Sequence, residues 1–122
     1  MLLLVLALSV AVAGKLTASP ARAAVNTGVT HTCSPDLIVA ANVRVVARCV
    51  TGYTSAAAGH TFYWFAYPTS DSAGASRILS IFETARATSS TVTFYFDDLD
   101  TSGAAFGCNA NDCRAIWAAT SP

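Results

Sequence analysis

The sequence predicts an all-β domain, an antiparallel sandwich of six to seven short strands held together by two disulfides. Short apolar runs alternate with clusters of Gly, Ser, Asn and Asp, which are typical of strands joined by turns. No segment shows a sustained helical period. Four cysteines in a chain of 122 residues indicate disulfide bonding in an exported protein.

The first part of the chain has the pattern of a secretory signal. Residues 2–14 are almost purely aliphatic, and small residues of the A-x-A type follow at positions 21–24. We therefore predict a signal peptide over residues 1–23, a mature domain over residues 24–122 and a secreted, extracellular protein. A transmembrane anchor is the alternative, but the apolar run is shorter than the roughly 20 residues that span a bilayer.

The charge of the mature domain limits its partners. After cleavage, five Arg and seven acidic residues remain, which gives a net charge of −2. No basic patch is present to neutralise phosphates, so nucleic-acid binding is not expected. No membrane association is expected after the signal is removed.

Seven segments carry the predicted strands. The first two form a hairpin centred near residue 41, because the second alternates apolar residues with Arg44 and Arg48. The cleanest alternation places Val92, Phe94 and Phe96 on one face. The predicted strands are residues 37–40, 43–50, 61–67, 77–84, 91–97, 104–108 and 113–118.

The densest aromatic segment, residues 61–67, holds five aromatic side chains in seven residues. Period two places Phe62, Trp64 and Ala66 on one face and Tyr63, Phe65 and Tyr67 on the other. With Trp64 facing the core, the second face carries the candidate ligand-binding residues Tyr63, Phe65 and Tyr67. In the alternative, neighbouring loops or Trp117 cover this face.

The four cysteines can pair in more than one way. Cys33 and Cys49 lie symmetrically about the predicted first hairpin. Cys108 and Cys113 flank a four-residue turn, Asn-Ala-Asn-Asp. Symmetry favours local pairing, Cys33 with Cys49 and Cys108 with Cys113. Each disulfide contributes roughly 2–4 kcal/mol to a domain of this size.

An acidic segment resembles the first half of a calcium-binding loop. Residues 98–103 match D-x-D-x-S-G, which presents oxygen ligands from Asp98, Asp100 and Ser102 before a Gly. Position twelve of such a loop, where a bidentate Glu is expected, is Asn109. A solvated turn is the alternative to a calcium site, and the sequence indicates no other cofactor.

Catalytic residues are sparse. The chain contains two histidines, His31 and His60, and one glutamate, Glu83. Nucleophilic catalysis needs a base held beside a Ser or Cys, and no G-x-S-x-G or comparable motif surrounds any Ser. Asp97, Asp98 and Asp100 lie too close together in the sequence for paired-carboxylate chemistry. The sequence therefore predicts no catalytic residues and no enzyme.

Cys49, Trp64 and Cys108 follow a known pattern. Trp64 comes fifteen residues after Cys49, and residues 102–108, Ser-Gly-Ala-Ala-Phe-Gly-Cys, resemble the D-S-G-x-Y-x-C segment of immunoglobulin domains. The resemblance covers about 60 residues and implies an immunoglobulin-like β-sandwich. It also implies a second pairing scheme, Cys49 with Cys108 and Cys33 with Cys113.

The spacing of Cys108 and Cys113 is also similar to the late disulfide of the actinomycete enediyne-carrier apoproteins. That resemblance implies a secreted, single-domain, immunoglobulin-like sandwich that holds a flat hydrophobic ligand.

Two hypotheses about function follow. The first is a secreted binding module that recognises a protein or a small apolar ligand through the aromatic strand and its adjacent loops. The second is a secreted structural or inhibitor-type protein whose aromatic side chains all lie in the core.

Overall fold

The computed structural model describes residues 28–122, so the predicted signal peptide and its cleavage site lie outside the described residues. These residues form six β-strands, one α-helix and one short 3-10 helix, the last over Ser102–Phe106. The strands and the helix are β1 (Val29–Cys33), β2 (Pro35–Ala40), β3 (Arg44–Ser55), β4 (His60–Pro68), α1 (Ser72–Ala87), β5 (Val92–Phe96) and β6 (Cys113–Thr120).

The strands form one mixed sheet in the order β1-β5-β6-β4-β3-β2. Strands β4 and β6 are parallel, whereas every other neighbouring pair is antiparallel. Only Ser34 separates β1 from β2, although these two strands lie at opposite edges of the sheet. The sheet therefore curls into a half-barrel, and the N–H of Val50 in β3 donates to the carbonyl of Ser34 at 3.1 Å.

The prediction of a β-rich domain with two disulfides is confirmed. The parallel pairing of β4 with β6 and the presence of α1 depart from the expected antiparallel sandwich. Within residues 28–122, α1 packs on β2 and β3 and covers the core on one side of the sheet, where the sandwich prediction has a second sheet.

The prediction of a strand over residues 77–84 is wrong, because these residues belong to α1. The Asp71 side chain caps the helix by accepting the N–H of Gly74 at 3.1 Å. The buried side chains Ala75, Ile78, Phe82 and Ala85 follow at intervals of three and four residues, which is the helical period. A Cβ at position 74 would force the Asp71 carboxylate and the Tyr67 hydroxyl to shift.

The main core lies between α1 and the concave face of the sheet. Strand β5 contributes Val92, Phe94 and Phe96, all fully buried, which confirms the predicted inward face of that strand. Phe82 of the helix packs on Phe94 with ring centroids 5.7 Å apart. A smaller cluster on the outer face contains Val46, Ala66, Cys108 and Cys113.

Both disulfides are local, as the symmetric spacing predicts. Cys33 bonds to Cys49 and Cys108 bonds to Cys113, with Cα–Cα distances of 5.6 and 5.2 Å. The pairing that the immunoglobulin resemblance implies is not formed. The first disulfide joins the end of β1 to β3, and the second closes the loop that leads into β6.

Residues 104–108 do not form the predicted strand. They lie at the end of the 3-10 helix and in the turn after it, where Gly107 adopts a left-handed conformation with φ of 85°. The strand before β6 in the chain is therefore β5, with which β6 pairs antiparallel, while β4 flanks β6 in parallel on its other side.

Candidate functional site

Strand β4 changes its inward face at Tyr63. The register between β3 and β4 shifts here, so that residues 49–52 of β3 lie opposite Tyr63. The N–H of Tyr63 donates to the carbonyl of Asp112 at 3.0 Å. A bulge of this kind interrupts the alternation of side chains. Phe62 and Phe65, three residues apart, are therefore both buried in the main core.

The three residues predicted as one binding face, Tyr63, Phe65 and Tyr67, do not share a surface. Phe65 has no exposed area, whereas Tyr63 is 43% exposed. Tyr67 is half-buried, and its hydroxyl donates to the Asp71 carboxylate at 2.6 Å. The assignment of Phe65 to an accessible face is therefore corrected, while ligand contacts at Tyr63 and Tyr67 stay predictions.

Trp64 lies on the outer face of the sheet and not in the main core. It packs on the outer cluster and is partly buried. After the bulge the two faces of β4 are the reverse of the prediction, whereas Phe62, before the bulge, faces the core as predicted. A strand with two apolar faces does not reveal its orientation. The guanidinium of Arg48 lies 5.5 Å from the centroid of the Trp64 ring. Trp64 is thus the aromatic side chain of β4 that packs on the outer cluster.

Beside Trp64 is a pocket of about 220 Å³, which we call the Trp64 pocket. Strands β2, β3 and β4 contribute its apolar side chains, and the loop between the 3-10 helix and β6 contributes most of its polar groups. Its lining residues are Val39, Arg44, Val46, Trp64, Gly107, Asn109, Asp112 and Cys113.

The loop over residues 107–112 is held in place by its own hydrogen bonds. The N–H of Cys113 donates to the carbonyl of Asn109 at 2.8 Å, and the side-chain oxygen of Asn109 accepts the N–H of Asn111 at 2.9 Å. The Cys108–Cys113 disulfide closes the same loop. The Asp112 carbonyl also accepts the N–H of Trp64 at 3.1 Å, which ties the loop to β4.

Arg44 occupies the opposite rim of the pocket. Its Nη1 donates to the Phe106 carbonyl at 3.1 Å. The guanidinium lies directly on Gly107, where any Cβ would collide with Nη1. Gly107 is thus required for two reasons, its positive φ and the space that Arg44 fills.

The neighbouring Arg48 is already paired. Its Nε and Nη2 donate to the two carboxylate oxygens of Asp36 at 2.9 and 3.0 Å. These hydrogen bonds hold the pKa of Asp36 below its usual range. This is the one ion pair within residues 28–122, so the charges of Arg44 and Asp112 form none there. The Trp64 pocket is therefore lined by one basic and one acidic residue that no ion pair neutralises within residues 28–122.

The predicted calcium ligands already make internal hydrogen bonds. The Asp100 carboxylate accepts the N–H and the hydroxyl of Ser102 at 2.8 and 3.0 Å. The Asp98 carboxylate accepts the hydroxyl of Ser55. Among the described residues, the acidic groups of this loop form no cluster of three with metal-binding spacing. The geometry adds no support to the calcium site, which stays a prediction.

A buried arginine sits beside the acidic loop. Arg114 is 2% exposed, and its guanidinium donates to the carbonyls of Asp98 and Ala110, each at 2.7 Å. It also lies 3.8 Å from the centroid of the Phe62 ring. Burial lowers the pKa of Arg114, while the nearby Asp98 opposes that shift. This one side chain joins two loops to the core.

A second pocket brings three predicted site residues together. Tyr67, Asp100 and Ser102 line a space of about 270 Å³ with Trp117, which is 48% exposed. The Tyr67 hydroxyl and the Asp100 carboxylate, however, already bond to groups of the protein. The Trp64 pocket is the stronger candidate, because among the described residues the Asp112 carboxylate accepts no hydrogen bond and the Arg44 guanidinium donates one, to the Phe106 carbonyl.

His31 lies near the first disulfide. Its ring and the sulfurs of Cys33 and Cys49 are the one metal-binding cluster of three such residues among the described residues. The two sulfurs are bonded to each other, so they are not available as thiolate ligands. His31 Nε2 bonds to the Thr51 carbonyl at 2.7 Å, a contact that accounts for one ring nitrogen.

The sequence did not indicate Arg44, Val46 or Asp112 as site residues. They come together because β4 and β6 pair in parallel, which places the loop before β6 against the outer face of β3 and β4. The Cys108–Cys113 spacing did indicate a rigid loop, since a disulfide closes it over a short segment. Its position in space was not readable from the sequence.

Two further findings bear on function. The disulfides are typical of an oxidising, extracellular environment. Within residues 28–122, no helix is both long enough and apolar enough to cross a membrane. The chain matches no protein-family model, and neither the curated proteins nor the solved structures yield a match. The resemblances to immunoglobulin domains and to enediyne carriers stay predictions.

Proposed function

We propose that this protein is an exported, disulfide-stabilised binding module that takes a small apolar ligand into the Trp64 pocket. The observation that carries the proposal is a concave site in which Val39, Val46 and Trp64 lie next to fixed polar groups. Ligand sites in proteins have this composition, with apolar walls and a few well-placed polar atoms.

The size of the pocket limits the ligand. Drug-sized ligands occupy roughly 300–1,000 Å³, whereas the Trp64 pocket offers about 220 Å³. The ligand is therefore a small molecule with about one ring, which packs on the exposed part of the Trp64 indole.

The proposal also includes export of the protein and an immunoglobulin-like relationship. The signal-like pattern of residues 1–23 and the two disulfides support secretion. The spacing of Cys49, Trp64 and Cys108 supports an immunoglobulin-like relationship. Against that relationship stand the parallel β4–β6 pair and the packing of α1 on the sheet.

Binding is preferred here to catalysis and to a purely structural role. The His31 ring stacks on buried Phe65 and bonds to a backbone carbonyl, so it has no Ser or Cys nucleophile to activate there. Tyr63 and Trp117 are close to half exposed, which weighs against the hypothesis that every aromatic side chain is core.

The test is an NMR titration of the ¹⁵N-labelled protein with 2-phenylethanol, a neutral single-ring probe, at millimolar concentrations. We expect saturable shifts at the indole N–H of Trp64 and at the amides of Val46 and Gly107. Shifts confined to Tyr67 and Trp117 would overturn the assignment of the site. The absence of any saturable shift would overturn the binding of a neutral single-ring ligand at this site.

Matched variants separate the pocket from the general surface. Val39→Lys places a charged chain at the pocket wall, and Val39 is 37% exposed. Val50→Lys makes the same change at a valine that is 62% exposed and lies outside the pocket lining. Val39→Lys should abolish the shifts and Val50→Lys should retain them. An equal effect of both variants would contradict the proposal.

A further inference from the structure

The Trp64 pocket carries opposite charges at two points of its rim. Arg44 of β3, whose guanidinium lies on Gly107, lines the pocket, and so does Asp112, an acidic residue at the end of the disulfide-closed loop. No ion pair joins these two groups to each other, nor to any other residue within residues 28–122. Both residues line one small space.

The Arg44 side chain and the Asp112 backbone are already held in place by contacts within the protein. Arg44 is held by the Phe106 carbonyl and by its packing on Gly107. The Asp112 backbone is held because its carbonyl accepts two N–H groups of β4, those of Tyr63 and Trp64. Little ordering is needed when a ligand arrives, which favours affinity.

We propose that the ligand is a zwitterion of the amino-acid type with an apolar, single-ring side chain. Its carboxylate pairs with Arg44, its ammonium pairs with Asp112, and its ring packs on Trp64 and Val46. The inference rests on the proposed function, since it names the chemistry of the ligand for the same pocket.

Charge complementarity distinguishes a zwitterionic ligand from neutral, anionic and cationic ligands. A neutral ligand removes water from Arg44 and Asp112 without replacing the lost interactions, which costs free energy. An anion compensates only Arg44, and a cation compensates only Asp112. A zwitterion compensates both, and each charge-assisted hydrogen bond is among the stronger polar contacts in proteins.

The test compares four probes that share a phenyl ring and differ in charge: phenylalanine, 3-phenylpropionate, 2-phenylethylamine and 2-phenylethanol. Dissociation constants come from the same NMR titration of the full mature domain. We expect phenylalanine to bind about ten-fold more tightly than either singly charged probe, which corresponds to a difference of about 1.4 kcal/mol in binding free energy. The neutral probe should bind most weakly.

Two variants assign the charges. Arg44→Gln should reduce the affinity for phenylalanine to the affinity for 2-phenylethylamine. Asp112→Asn should reduce the affinity for phenylalanine to the affinity for 3-phenylpropionate. Arg77→Gln, on the exposed side of α1, is the control and should leave all four affinities unchanged.

The outcomes separate the two proposals. If all four probes bind in the pocket with equal affinity, the zwitterion inference is wrong and the proposed function stands. If 3-phenylpropionate binds as tightly as phenylalanine, Asp112 has no role in recognition and the inference is also wrong. If none of the four binds, both proposals fail.

Discussion

Truncation of Phe65 should destabilise the protein far more than truncation of the adjacent Tyr63. Phe65 has no exposed area, stacks on Phe94 and packs at a tilt against Phe96, with ring centroids 4.5 and 5.0 Å away. Replacing a buried Phe by Ala removes its transfer free energy and leaves a cavity, at a cost of about 3–5 kcal/mol. This is a large share of the roughly 5–15 kcal/mol that stabilises a typical domain.

The adjacent position provides the comparison. Tyr63 is 43% exposed and packs over Gly52, so Tyr63→Ala should cost no more than about 1 kcal/mol, in the range of ordinary point substitutions. Because a domain of this size loses about 4–8 °C of Tm for each kcal/mol, Phe65→Ala should lower Tm by more than about 10 °C.

The measurement is urea unfolding followed by circular dichroism, with the disulfides intact. If Phe65→Ala fails to fold, Phe65→Leu replaces it, because the smaller deletion leaves a smaller cavity. Equal losses at positions 63 and 65 would refute the bulge at Tyr63 as the feature that sets the faces of β4.

Three further predictions concern single side chains. Gly107→Ala should destabilise the protein by more than about 1 kcal/mol in urea unfolding, because it combines a strained positive φ with a collision against Arg44; a neutral result would contradict the packing at the pocket rim. Arg114→Met should cost at least about 2 kcal/mol, since it leaves buried carbonyls without donors, and unchanged stability would mean that water replaces the guanidinium. Hydrogen bonds from Tyr67 and from the helix N-terminus lower the pKa of Asp71, so its contribution is present above the unfolded pKa of about 3.9 and is lost as pH falls through the lower folded pKa. Thermal melts of Asp71→Asn and the parent should therefore differ at neutral pH and converge in acid, and a constant difference in Tm would exclude that titration.

Some elements were predictable because their signal is local. Val92, Phe94 and Phe96 alternate with polar residues. This pattern depends only on which face of a single strand packs on the core, so it can be read from the strand alone. The local disulfides followed from symmetric spacing about turns. In each case the residues that matter are close together in the sequence.

The helix was not predicted because its apolar residues come as two pairs, at 78–79 and 81–82, which look like a short buried strand. The small buried residues Ala75 and Ala85, which complete the helical period, are weakly apolar and add little to the pattern. Asp71 followed by a small-residue run resembles a loop, although it is a cap followed by residues that pack closely.

The Trp64 pocket was beyond prediction for a different reason. Its walls come from segments around positions 39, 44–46, 64 and 107–113, which meet only because β6 lies parallel to β4. A parallel contact between distant strands has no signature in either strand alone. The orientation of Trp64 depends on the bulge at Tyr63, and the pattern of an aromatic run does not show a bulge.

Strand β6 is synthesised after every other strand, yet it occupies the interior of the sheet between β4 and β5. Until residues 113–120 have been made, β3–β4 and β1–β5 cannot be joined into one sheet, and each part leaves apolar surface unpaired. Pairing between strands far apart in the sequence is intrinsically slow. A chain that is threaded through a membrane channel has to remain unfolded during transit. A central strand that is synthesised last prevents the sheet from forming before then. The order in which the strands are made thus delays folding until β6 has been made, and under the proposed export this leaves the cysteines free to pair on the oxidising side of the membrane.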